Sequence, residues 1–227
     1  MRAFRFSLLL TVFLAAPALA QVPPSADEIA RYTGLHEAAA KGDIMGIAVA
    51  GMAKADLESR DGNGRTPLHV AAFQKQYASA RALLMAGANA NALENQKYDI
   101  VTIASVANDV DMLKLALAAG ASARNVTSPY EGTALIAAAH LGYVEVVKTL
   151  IAAKAPLDHV NNLGWTALIE AVILGDGGRN HAECVRALVE AGAKLDIADR
   201  QSVTPLGHAR RRGYTEIILI LERAGAR

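Results

Sequence analysis

The chain has 227 residues, 52% apolar and 20% charged, a composition that excludes disorder and leaves room for one domain or two small ones. Its 23 Lys and Arg face 22 Asp and Glu, so no basic excess points to nucleic acid or to an anionic membrane. A single cysteine excludes an internal disulfide and a cysteine-rich zinc site, and aromatics at 5% predict a core of Ala, Leu, Ile and Val packed in helices.

The first twenty residues differ from the rest. Arg2 and Arg5 precede an apolar run from Ser7 to Ala16, and Ala18-Leu19-Ala20 places small residues where a signal peptidase cleaves. This predicts export, with a mature chain from Gln21 in the periplasm or secreted medium. The run is shorter than the ~20 residues that span a bilayer, which argues against a stable membrane anchor after cleavage. Next, Gln21 to Pro24 reads as a linker and Ser25 to Arg31 as a polar helix covering the N-terminal end of the folded region.

From Tyr32 onward the sequence repeats. Thr66-Pro67-Leu68-His69-Val70-Ala71-Ala72 opens a segment, and equivalent openings fall at Thr33, Asp99, Thr133, Thr166 and Thr204, spaced by 33, 33, 34, 33 and 38. A second landmark falls at Lys54, Gly87, Gly120, Lys154, Gly192 and Gly225, spaced by 33, 33, 34, 38 and 33. The extra five residues therefore lie in the fifth repeat, around Gly175 to Asn180, read as a flexible insertion. The chain thus divides into six segments, at about 32–61, 62–96, 97–130, 131–163, 164–201 and 202–227.

Each segment predicts two helices. Thr66 is placed to cap the first through its hydroxyl, and Pro67 fits the first helical position, where no backbone donor is needed. Val146, Val147, Leu150 and Ile151 lie at helical spacing on a second. The closing glycines suit a left-handed residue after the helix, and Lys54 and Lys154 are costly there by roughly 1 to 2 kcal/mol. Asp61-Gly62-Asn63-Gly64 predicts a hairpin-like loop between pairs. Arg210 stands where earlier repeats carry small residues such as Ala104 and Ala171, with Arg211 and Arg212 after it, which predicts that nothing stacks beyond the sixth repeat.

A period of 33 opening on Thr-Pro-Leu-His resembles the ankyrin repeat from about Tyr32 to the C-terminus. The third repeat, opening Asp99-Ile100-Val101-Thr102, departs furthest from the pattern. The resemblance implies an all-α solenoid of about six helix-turn-helix repeats, acting as a monomer with no cofactor and no metal. It also implies histidines such as His36 and His69 tying adjacent turns, and a concave face of hairpin tips and first helices that binds a partner protein. Exported bacterial relatives resemble immunity-type inhibitors of a periplasmic toxin, or accessory factors for stress-defence enzymes such as catalases.

No catalytic signature appears in the sequence. A hydrolase or metal enzyme would require Cys184, or His140, His159 and His181, to converge; Cys184 aligns instead with Val146 on a buried helix face. For partner binding, the tip position before each opening holds Arg65, Tyr98, Trp165 and Val203, with Tyr130 nearby. Positions seven and eight after the opening hold Phe73 and Gln74, His140 and Leu141, Ile173 and Leu174, and Arg211 and Arg212. That row is too apolar for a solvated face, so it is expected to contact a partner, the alternative being that tips pack on neighbouring tips.

Overall fold

The computed structural model describes residues 21–227, so the expected export signal lies outside the described residues. Thirteen helices and no named strands are present among them. A short helix α1 (Ala26–Arg31) precedes six pairs: α2 (Gly34–Lys41) with α3 (Ile44–Met52), α4 (Pro67–Phe73) with α5 (Tyr77–Ala86), α6 (Ile100–Val106) with α7 (Val110–Ala118), α8 (Ala134–His140) with α9 (Val144–Ala152), α10 (Ala167–Ile173) with α11 (Arg179–Glu190), and α12 (Pro205–Arg212) with α13 (Thr215–Arg223).

First helices pack on first helices and second on second, giving two rows in which each pair touches its neighbours. Alanine at Ala71, Ala104, Ala138, Ala171 and Ala209 is buried in all five later repeats, thin enough for close approach. Ala209 therefore holds the place that the alignment gave to Arg210, and Arg210 lies one residue on, exposed. Cys184 is fully buried, as are Val146, Val147 and Leu150.

Caps sit at the openings. The hydroxyls of Thr133, Thr166 and Thr204 accept from Ile136, Ile169 and Gly207 backbone N–H groups, and Asp99 accepts from Thr102. Thr66 differs: its hydroxyl meets the imidazole Nδ1 of His69 at 2.8 Å. Lys54 and Lys154 take the left-handed conformation of the closing glycines, with φ 55° and 63°.

The insertion is tied down rather than flexible. Relative to the fourth repeat, α11 has 12 residues against 9 in α9, and the remaining extra residues enlarge the preceding loop. His181 holds that loop between Asp176 Oδ1 at 2.8 Å and the His140 carbonyl at 2.9 Å, while the Tyr214 hydroxyl donates to the Gly175 carbonyl.

The segment expected to be a linker is also docked: Pro24 is buried, the Val22 carbonyl accepts from Arg65, and Ser25 and Glu28 form a capping box on α1. On the first pair a groove of about 410 Å³ lies open between α2 and α3, beside the exposed apolar side chains Met45, Val49 and Met52.

Candidate partner-binding surface

Five hairpins join the six pairs, and each is built around one polar side chain. Asp61 Oδ1 accepts from the backbone N–H groups of Asn63 and Arg65; Glu94, Ser128, Asn161 and Asp199 do the same in the later hairpins. The tips are then stitched together by Asn95 N–H to Asn63 O, Ser128 N–H to Lys97 O, and Asn162 N–H to Tyr130 O. Equivalent positions thus line up along the array, so the side chains they carry form rows.

The structure divides the expected binding residues. Arg65 is fully buried, bonding Asp61 at 2.7 Å, the Glu28 carboxylate and the Val22 carbonyl; Tyr98 is 6% exposed. Both belong to the interior, Arg65 covered by the N-terminal segment that it bonds and Tyr98 packed in the core, so neither is part of a contact surface. Val203 is buried as well.

The rest remain on the surface: Phe73, Gln74, Tyr130, His140, Trp165 and Ile173 are half-buried, Leu141 and Leu174 are each 37% exposed, and Arg211 and Arg212 are exposed. Phe73 also packs on the core.

A second apolar row was missed in the sequence. Leu93, Val126 and Val160 precede three successive hairpins and are 37%, 48% and 45% exposed, with Leu163 beside them. Their spacing of 33 and 34 matches the repeat, so a register comparison of every column, and not of the tips alone, finds them.

The titratable groups beneath this surface serve the scaffold. The imidazoles of His36 and His69 bond the Arg65 and Tyr98 carbonyls of the next hairpin. Burial pushes Glu170 up to about 7, partly opposed by the Asn161 amide that donates to it at 2.8 Å. Burial and the neighbouring His181 push His140 down, so its 3.6 Å contact with Glu170 is not a fully charged pair at neutral pH. Burial raises the Cys184 thiol to about 12, leaving it protonated. Among the described residues no three His, Cys, Asp or Glu side chains form a group able to hold a metal ion.

The family profile described as ankyrin repeats (3 copies) matches residues 10–94 and 101–199. The chain belongs to the ankyrin-repeat family. It is 34% identical over 190 residues to the ankyrin repeat protein YahD of Escherichia coli, covering 83% of this chain and 94% of that one. An ankyrin repeat domain from Acinetobacter baumannii superposes with a TM-score of 0.81 at 44% identity, covering 85% of this chain and 98% of the other. A chain in the complex of a predatory endopeptidase from Bdellovibrio bacteriovorus with an immunity protein superposes at 0.69, covering 85% of this chain and 98% of the other; at 23% identity it shares the fold alone. As an ankyrin array the molecule is a protein-interaction module.

Proposed function

We propose that this ankyrin array is an exported, non-catalytic binding module that works in the periplasm and holds a partner protein on its hairpin-side, concave face. The observation that carries the reading is a pair of exposed apolar rows, Leu141 and Leu174 at the C-caps of two first helices and Leu93, Val126 and Val160 ahead of three hairpins. Apolar side chains aligned over several repeats are a contact surface rather than scattered exposure. Export rests on residues 1–20 of the sequence.

Trp165, half-buried at a tip whose backbone is fixed by Asn161, is a rigid aromatic anchor of the kind that dominates binding energy. The test is capture of the partner from a periplasmic extract, and then the same capture with Trp165→Ala. The variant is expected to bind more weakly by about 2 kcal/mol with little change in folding stability. A lowered melting temperature with unchanged affinity would mean that Trp165 only packs tip on tip. The partner's own activity separates an inhibitor of a toxin, which abolishes it, from an accessory factor for an enzyme such as a catalase, which leaves it intact.

A further inference from the structure

Resting on the proposed hairpin-side surface, we propose further that the segment bound there is an apolar stretch of protein ending in a cluster of acidic side chains, with the acids lying over the sixth repeat. The row seven and eight residues after each opening is apolar at Leu141 and at Ile173 and Leu174, and then becomes Arg211 and Arg212 in the next repeat, both exposed. Arg200, exposed in the fifth hairpin at the place that Asn162 holds in the fourth, adds a further cation to the last repeat.

These guanidinium groups face outward without a carboxylate because the carboxylates around them are committed elsewhere. Asp199 bonds His208 at 2.7 Å, Glu222 bonds Arg210 at 2.6 Å, Glu216 bonds Arg186 at 3.3 Å and Asp176 bonds His181 at 2.8 Å. Arg212 reaches only the Tyr214 ring and its hydroxyl, Arg200 reaches the Asn162 carbonyl, and Arg211 has no ion-pair partner among the described residues. A partner that continues the apolar contact and then presents Asp or Glu meets both halves of this surface, and charge complementarity at its end fixes the direction in which it lies. A nucleic acid would satisfy the arginines but would leave the apolar row beside them uncovered.

Two stacked-helix spacings of about 10 Å separate the fourth repeat from the sixth, so about six extended residues bridge them. A displayed library of random 12-residue peptides therefore suffices as the probe. Selection on the protein is expected to enrich peptides with aromatic or aliphatic residues followed by two or more acids at one end. A synthetic copy of such a peptide should bind at least ten-fold more weakly to Arg211→Glu/Arg212→Glu, weaken less with the Gln pair, and weaken in 0.3 M salt. Selection on the Glu pair should favour Lys- or Arg-ended peptides.

If the enriched peptides lack acids and lose affinity with Trp165→Ala but not with the charge reversal, the inference falls and the binding surface stands. If no peptide responds to either change, both fall. A labelled single-stranded oligonucleotide that binds more tightly than the acidic peptide, and is released by the charge reversal, would overturn the inference in favour of a nucleic acid.

Discussion

In the second repeat the joint to the next hairpin is an imidazole, and in the third it is a pair of hydroxyls. His69 accepts at Nδ1 from the Thr66 N–H, which leaves Nε2 as the donor to the Ala92 and Tyr98 carbonyls at 3.0 and 3.2 Å. At the equivalent place Thr102 donates to Asp99 at 2.8 Å and meets the Thr127 hydroxyl at 2.9 Å. The repeat that departs furthest from the family pattern thus makes the same connection with other chemistry. In these two repeats one group that both donates and accepts links the helix cap to the next hairpin; the fourth, fifth and sixth repeats carry Ile136, Ile169 and Gly207 at this place and bond only the Thr cap through the backbone N–H, so the fold accommodates the joint without requiring it.

The residues entering the two repeats, Arg65 and Tyr98, give the largest expected contrast. Arg65→Ala leaves the Asp61 and Glu28 carboxylates without their buried cation and is expected to cost about 3 to 5 kcal/mol. Because Arg65 also holds the Val22 carbonyl, hydrogen exchange in Ser25–Arg31 should accelerate, which a change at Tyr98 should not cause. Unchanged exchange there would mean that α1 docks without it. At the joints themselves, His69→Ala should cost about 2 to 3 kcal/mol and Thr102→Val about 1, since the first strands two carbonyls and the second one hydroxyl. Equal costs in urea denaturation would show that the two joints are energetically alike.

The two joints also part company with pH. Burial takes His69 down to about 4 from 6.5, so the unfolded chain binds the proton more readily than the folded one. The stability it contributes is present above pH 6.5 and lost as pH falls toward 4. Thr102 does not titrate. The stability gap between the protein and His69→Gln should therefore narrow from pH 7 to pH 4.5, while the gap to Thr102→Val stays flat. Glu170 runs the other way: with its folded value raised from 4.5 to about 7, its contribution is present below pH 4.5 and lost as pH rises through 7. Glu170→Gln should gain on the parent in thermal melts at pH 8 and lose that advantage at pH 5.

The helix pairs, their order and the buried faces were legible because the 33-residue period repeats the same physical problem six times: cap, apolar stripe, left-handed close. Burial of Arg65 was not, because its acceptors come from Val22 and Glu28, in a segment outside the repeat pattern. Tyr98 was misplaced because alignment of the openings gives a residue's column but not whether its side chain packs into the core, as this one does. The anchoring of Gly175 likewise depends on Tyr214, 39 residues away. Of the left-handed residues other than glycine that the alignment did not point to, Lys75, Lys97, Ser128, Glu131 and Ser202 left no compositional mark, and only Asn108 is of a type that favours the conformation.

One of those residues gives the smallest contrast between the same two repeats. Gly64 and Lys97 hold the same place in successive hairpins, at φ 73° and 64°. A side chain in this region costs roughly 1 to 2 kcal/mol, and glycine avoids it at the expense of a freer unfolded chain. The hairpin contact of Lys97 is made by its carbonyl, which accepts from the Ser128 N–H and survives any substitution of the side chain. Lys97→Gly therefore isolates the backbone cost and is expected to stabilise the protein by about 0.5 to 1 kcal/mol. The reverse change is not its mirror: a Cβ on Gly64 would sit 2.2 Å from Asn95 Oδ1 and 3.1 Å from its backbone nitrogen, so Gly64→Ala meets a clash as well as the strain. Loss of stability in Lys97→Gly would show instead that the lysine side chain, and not its backbone, holds the third hairpin in place.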